Sequence, residues 1–146
     1  MELDVIQTAL GGQRAVYNGV RVKTIPKPLR LFNKNRSYAF RGTVYLAPNI
    51  LNGGPDEAVR TLRHEYGHTR QYARLGFCRY LFGIFLPSMT HTPREHYYSQ
   101  KWEVTADAFG DVDRAGTGEA HLPGAEKDGE DYLRHLERRL DSRRQR

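Results

Sequence analysis

One long amphipathic helix is the feature that most constrains the fold of this chain. Gly53-Gly54-Pro55 followed by two acidic residues is typical of a helix start, because proline fits the first turn and acids suit the positive helix end. Apolar and small residues then recur at helical spacing as far as Gly76, and glycine is a usual helix stop. The pattern therefore predicts a helix from about Asp56 to Leu75.

This helix carries the segment His64-Glu65-Tyr66-Gly67-His68. Residues four apart lie on one helical face, one turn from each other, so both imidazoles are placed to reach one ion. Zinc accepts neutral imidazole, and a site with three protein ligands leaves a fourth position for water. Glu65 projects near the same face and can take a proton from that water. We therefore expect one Zn²⁺ per chain, held by His64 and His68, with Glu65 as the catalytic base.

The third ligand must come from another part of the chain. Metzincins would have glycine and histidine where this chain has Gln71 and Arg74, which excludes that class. A second predicted helix, at about 99–113, places Glu103 and Asp107 on one face. We expect Glu103 to complete the metal site and Asp107 to accept a hydrogen bond from a ligating histidine.

The stretch before this second helix offers alternatives and a further role. His91 and His96 compete with Glu103 as the third ligand. One of His91, His96, Tyr97 and Tyr98 is also expected to hydrogen-bond the oxyanion that forms when water attacks a carbonyl. The alternative for each is a packing aromatic or a surface histidine.

The remaining patterns predict an α+β chain of one domain, residues 1–146, with a core at about 12–113 and a loop plus basic C-terminal helix at 114–146. Short strands are expected between Gln13 and Pro48, and an apolar core segment under the site at 77–89. The predicted strands include Leu29–Phe32 and Arg41–Leu46, joined by a turn at Asn33–Asn35. A loop is predicted at 116–124, and a final helix at 127–144 with an apolar face of Tyr132, Leu133, Leu136 and Leu140.

Charge and composition limit the partners. The net charge is +6, and residues 5–55 contain eight basic residues and no acidic one. Nucleic acid is a possible partner on charge alone, but no motif supports it, and a solvated surface is the simpler interpretation. No stretch is long and apolar enough to span a membrane or to act as a secretory signal. Cytoplasmic location, or export without a cleavable signal, is therefore expected, and the oligomeric state is open.

The segment from Thr61 to Gly110 resembles the gluzincin metallopeptidases. It looks most like a small bacterial group whose members occur as short proteins and at the ends of Rhs-type polymorphic toxins. The residues that carry the resemblance are His64–His68 with Gln71, Leu75-Gly76, Leu86-Pro87-Ser88, His96-Tyr97-Tyr98 and Glu103–Asp107.

The resemblance implies a minimal zincin-like fold, with a small and mostly antiparallel N-terminal sheet packed on the active-site helix. It implies zinc at His64, His68 and Glu103, and Glu65 as base and later acid. It also implies that Thr43, Val44, Tyr45 and Leu46 form the edge strand to which a peptide substrate adds by main-chain hydrogen bonds. The expected function is that of a zinc-dependent endopeptidase, with a toxin effector as one family role.

A second hypothesis belongs to a different class of protein. The zinc site would be structural or inactive, and the basic surface would bind nucleic acid or an acidic partner. Glu65 argues against it, because a structural zinc site needs no base.

Overall fold

The computed structural model describes residues 1–30, 36–90 and 96–144, with side chains up to residue 139. A four-stranded mixed sheet lies beside several helices, so the predicted α+β class is confirmed. The strands are β1 (Ala15–Tyr17), β2 (Val20–Thr24), β3 (Tyr38–Phe40) and β4 (Thr43–Leu46). The helices are α1 (Glu2–Leu10), α2 (Lys27–Arg30), α3 (Pro55–Leu75), α4 (Phe77–Tyr80), α5 (Leu86–Thr90), α6 (Lys101–Gly110) and α7 (Ala125–Arg144). Short 3₁₀ turns at Ile50–Gly53 and Tyr97–Ser99 and a π-helical turn at Leu81–Phe85 connect them.

Two tight hairpins build the sheet. Asn18-Gly19 joins β1 to β2 and Arg41-Gly42 joins β3 to β4, and all four residues have positive φ, between 47° and 81°. Such turns match the right-handed twist of paired strands. The hairpins meet through a parallel pairing of β2 with β4, which gives the order β1-β2-β4-β3.

This order corrects the prediction for the edge strand. Thr43–Leu46 lies inside the sheet, between β2 and β3, and its Val44 and Leu46 are fully buried. The edge on that side is β3, Tyr38–Phe40. Sequence alone missed this because strand order depends on the long-range pairing of β2 with β4, and composition carries no sign of it.

The inner face of the sheet packs on α1 and α3. α3 begins and ends where predicted, with Pro55 in the first turn and Gly76 after the last residue. α1 has no counterpart in the predicted elements, although it buries Ile6 and Ala9. The core cluster between these layers contains Ile6, Ala9, Val22, Val44, Leu46, Ala58 and Leu62. Its N-terminal members lie outside the predicted core of 12–113.

α7 forms a second cluster on the other side of α3. Leu133 and Leu136 pack with Leu75, Tyr80 and Ile84. The predicted apolar face of the last helix is therefore confirmed for Leu133 and Leu136, whereas the side chain of Leu140 lies outside the described residues.

Two predicted segments differ from the structure. Residues 27–30 form the short helix α2, so Leu29, where a strand was predicted to begin, is helical and 45% exposed. Pro28 offers no N–H to a strand and fits a first helical turn. The rest of that predicted strand and the turn at Asn33–Asn35 lie outside the described residues.

The apolar segment after α3 is helical and only half buried. Tyr80 and Ile84 are in the core, as expected for this segment, but Phe82 is 68% exposed. The prediction of a core segment is thus right for one face and wrong for the other, because an aromatic run has no polar residues to mark its outer side.

Candidate metal centre

The crossing of α3 and α6 creates the site, and glycines set how closely the two helices approach. Gly67 lies directly on the Ala106 backbone: a Cβ built on Gly67 would lie 2.6 Å from the Ala106 carbonyl carbon. Gly110 lies in the same way against Arg63, with 2.7 Å from a built Cβ to the Arg63 carbonyl carbon. Neither contact leaves room for a side chain. The two backbones therefore pass close enough for the carboxylates of Glu103 and Asp107 on α6 to reach His64 on α3.

The structure brings together the three predicted ligands. His64 Nε2 lies 2.8 Å from Glu103 Oε2, and His68 Nε2 lies 3.3 Å from the same oxygen. The three ligand atoms all lie within 4.8 Å of one another. The side chains are buried, with residue exposures of 4%, 5% and 0% for His64, His68 and Glu103. Of the three candidates for the third ligand, Glu103 is therefore brought to the two histidines, His96 is not, and His91 lies outside the described residues.

Hydrogen bonds behind the histidines determine which ring nitrogen faces the centre. The Nδ1–H of His64 donates to Asp107 Oδ1 at 2.6 Å, which is the role predicted for Asp107. The Nδ1–H of His68 donates to Gln71 Oε1 at 2.7 Å. Gln71 is held in this orientation because its Nε2 donates to the Trp102 carbonyl at 2.8 Å. Since both acceptors only accept, both histidines carry a proton on Nδ1 and turn Nε2 towards Glu103.

These donor atoms fit a metal ion. When both rings are neutral, two Nε2 lone pairs and a carboxylate oxygen converge in a buried space, where they repel one another unless a metal ion or a proton lies between them. No group in the described part of the chain makes a hydrogen bond of regular geometry to Glu103 Oε2, although that atom is buried. A buried acceptor left in this way is costly unless something binds it. The described residues therefore form a group able to hold a metal ion.

The electrostatics of the group also favour a positive charge. Burial lowers the pKa of His64, but the hydrogen bond to Asp107 and the contact with Glu103 outweigh it and raise that pKa to about 10. Burial raises the pKa of Glu103, but the nearby His68 and His64 lower it well below its usual range. Both shifts have the same cause, which is that the buried carboxylates stabilise cationic charge at this point.

Glu65 faces the same cleft and does not join the triad. It is 7% exposed and lines the cleft beside His64 and His68. Burial raises its pKa, while the two histidines partly oppose that shift. A carboxylate with a raised pKa beside the ligands has the properties of a general base.

The structure separates the four candidates for oxyanion stabilisation. The Tyr97 hydroxyl donates to Glu103 Oε1 at 3.0 Å, so its proton is already used to orient the ligand. Tyr98 lines the cleft with its ring edge against His64, 5.3 Å between centroids, and burial raises its pKa to about 12. His96 is exposed and is not among the residues that line the cleft. His91 lies outside the described residues.

The cleft in front of the triad has a volume of about 510 Å³. One wall is the strand edge, with Ser37, Tyr38 and Ala39, and another wall carries Phe85 and Met89 from the helical segment after α3. The Tyr80 hydroxyl donates to the Ala39 carbonyl at 3.1 Å and ties the two walls together. The true edge strand β3, and not β4, therefore borders the candidate site.

Comparison with known proteins adds no assignment. No protein-family model, no curated protein and no solved structure matches this chain. No helix in residues 1–30, 36–90 and 96–144 is long and apolar enough to cross a membrane. What the chain does must therefore be argued from the geometry of the centre.

Sequence reasoning missed three residues of this centre. Gln71 appears in the motif that carries the gluzincin resemblance, but its role behind His68 was not assigned. Arg114 and His121 both contact Asp107 and come from a loop for which no role was predicted. The signal for Gln71 was its place one turn after His68 on the same helix; no local signal marks the other two.

Proposed function

We propose that this chain is a zinc-dependent peptidase. The observation that carries the proposal is that the His64, His68 and Glu103 group and the separate carboxylate of Glu65 face one cleft. Two imidazoles and one carboxylate are a ligand set typical of catalytic zinc, which keeps an open position for water. A purely structural site would have no use for Glu65, a buried carboxylate that faces the cleft beside the two histidines without joining the group.

His64 Nε2, His68 Nε2 and Glu103 Oε2 would hold the ion. When bound, zinc lowers the pKa of a water molecule and polarises a carbonyl group. The protein residues supply the remaining functions, which are to orient the ligands, to move protons and to bind the peptide.

Glu65 moves the proton. Its carboxylate takes a proton from the attacking water and delivers it to the leaving amine nitrogen, so the same group acts first as base and then as acid. The raised pKa of Glu65, caused by burial, favours the first step, in which the carboxylate takes up the proton. Among the candidates that the structure describes, Tyr98, whose pKa is raised to about 12, is the one left to donate a hydrogen bond to the oxyanion.

The peptide lies along β3. An extended chain that pairs with the exposed edge of a sheet gains main-chain hydrogen bonds that do not depend on its side chains. Ser37, Tyr38 and Ala39 line the cleft beside the centre, and because the Ala39 carbonyl already accepts a hydrogen bond from Tyr80, the peptide would pair with the rest of this edge. We therefore expect recognition of extended or unfolded segments.

The experiment measures zinc content and peptide cleavage in wild type and in Glu65→Gln. Zinc per chain is measured by mass spectrometry of the metal, and cleavage is followed with a quenched fluorescent unfolded protein. We expect about one zinc in both proteins and a loss of turnover of at least about 100-fold in the variant, in the range of losing a general base. Asp56→Asn is the matched control, since Asp56 is an exposed acid in the first turn of the same helix.

Two results would contradict the proposal. Equal cleavage by wild type and Glu65→Gln would show that Glu65 is not the base. Wild-type protein that binds no zinc after reconstitution would remove the enzyme hypothesis altogether.

A further inference from the structure

A buried carboxylate behind the metal centre has more hydrogen-bond partners than it needs to orient one ligand histidine. Asp107 is 0% exposed and accepts the hydrogen bond from His64 Nδ1. Arg114 Nε donates to Asp107 Oδ2 at 2.6 Å, and Arg114 Nη2 donates to Oδ1 at 3.0 Å. His121 Nε2 lies 2.7 Å from Oδ2. The two oxygens of one carboxylate are thus shared by three side chains, which fixes its orientation.

Arg114 also contacts the front of the centre. Its guanidinium carbon lies 3.3 Å from the centroid of the Tyr98 ring, and that ring packs edge-on against His64. Arg114 is only 7% exposed, which is rare for arginine unless it is paired. One side chain therefore contacts both the carboxylate behind His64 and the aromatic ring beside it.

Both new partners come from the loop between α6 and α7. Arg114 follows α6 by four residues, and His121 precedes α7 by four. His121 Nδ1 also lies 3.7 Å from Glu126 in the first turn of α7. The loop at 111–124 therefore connects the back of the metal centre to the last helix.

We propose that Arg114 and His121 are positioning residues for His64, and that the loop at 111–124 is an integral part of the metal centre. The planar guanidinium holds both oxygens of Asp107, so Oδ1 stays aligned with His64 Nδ1 and Nε2 stays turned towards Glu103. Without Arg114, only His64 and His121 hold the carboxylate, and the ligand is less firmly oriented. The inference rests on the metal site of the proposed function and is independent of peptide cleavage.

The test measures zinc affinity of the full chain. Metal-free wild type, Arg114→Met, Arg114→Lys and His121→Gln are each titrated with Zn²⁺ against a chromophoric chelator. We expect Arg114→Met to bind zinc about 10–100-fold more weakly, the usual loss when an outer partner of a ligand is removed. Arg114→Lys keeps the charge without the planar fork and should recover part of that loss. His121→Gln should lose about tenfold, at the lower end of the same range.

Arg74→Met is the matched control. Arg74 also binds two carboxylates, Glu130 and Glu137, but on the α3–α7 side away from the centre. It should lower the free energy of unfolding without changing zinc affinity. The absorption spectrum of bound Co²⁺ gives a second readout, because a displaced ligand alters it while a general loss of stability does not.

The outcomes separate this inference from the proposed function. Wild-type zinc affinity and Co²⁺ spectrum in the Arg114 and His121 variants would overturn the inference and leave the peptidase untouched. Weaker zinc in the variants, with no cleavage by any protein, would uphold the inference and remove the proposed function. If Arg114→Met does not fold, His121→Gln and Arg114→Lys decide the question, because each retains a polar partner for Asp107.

Discussion

Gly67→Ala is the sharpest test of how the metal centre is built. Gly67 lies between the two ligand histidines and directly on the backbone of Ala106, which follows Glu103 by three residues. The added Cβ would lie 2.6 Å from the Ala106 carbonyl carbon, whereas ordinary contact begins at 3.4 Å. Because the obstacle is backbone and not a flexible side chain, α3 and α6 must separate by at least about 0.8 Å, the difference between those distances.

This displacement acts on both stability and metal binding. Overpacking of a tight contact costs about 1–3 kcal/mol. The better helix propensity of alanine returns up to about 1 kcal/mol. Metal distances tolerate only about 0.2 Å. Because Glu103 moves with α6 away from the histidines on α3, we expect zinc affinity to fall by at least about tenfold, close to 1.4 kcal/mol of binding free energy.

Urea denaturation of the metal-free protein and zinc titration against a chelator measure the two effects. Gly11→Ala is the control, because Gly11 has φ of −75° and its built Cβ meets Gln7 O at an ordinary 3.4 Å. Wild-type zinc affinity in a folded Gly67→Ala protein would refute the reasoning, since it would show that the helices are not held at the separation the centre requires.

Three further predictions concern separate parts of the molecule. Tyr98→Phe should lower kcat by about 100-fold with little change in KM, as for loss of one oxyanion donor. A rise in KM of similar size with kcat unchanged would assign Tyr98 to substrate binding instead. Leu133→Ala, at a fully buried position of α7, should lower the free energy of unfolding by about 2–5 kcal/mol in urea titrations; a loss below about 1 kcal/mol would mean that α7 does not pack on the domain in solution. The hydrogen bond from Arg63 lowers the pKa of Glu2 from 4.5, so the pair stabilises the fold above that value and the contribution is lost as pH falls through the lowered pKa. Glu2→Gln should therefore weaken the acid dependence of stability, and parallel pH profiles for the two proteins would contradict the assignment.

The residues grouped at the centre could be predicted because their placement depends on local periodicity. His64 and His68 share a helical face whatever surrounds the helix, and Glu103 and Asp107 share another. A helix of this length with both end signals is among the most predictable elements. The pairing of the two helices then follows from the need of two histidines for a third ligand, and the structure brings Glu103 to them.

The residues that hold Asp107 behind His64 could not be predicted, because they reach it only through tertiary contacts. Arg114 sits in a loop with no periodicity, and nothing local distinguishes it from the other arginines of a basic chain. The prediction of Thr43–Leu46 as the edge strand was wrong for the same reason, since the pairing of β2 with β4 spans about twenty residues of intervening chain. α1 is different: Ile6 and Ala9 lie three residues apart, so a weak helical pattern was present but too short to stand out.

The two histidines of the centre are supported in different ways, and this asymmetry links the site to the fold. His64 is backed by the carboxylate of Asp107, which the loop at 111–124 holds, whereas His68 is backed by the neutral amide of Gln71, which α3 itself supplies. A carboxylate raises the donor strength of its imidazole, while an amide mainly orients it. A displacement of the loop at 111–124 therefore alters the orientation of His64 before that of His68. His68 keeps its support as long as α3 and the Trp102 carbonyl stay in place.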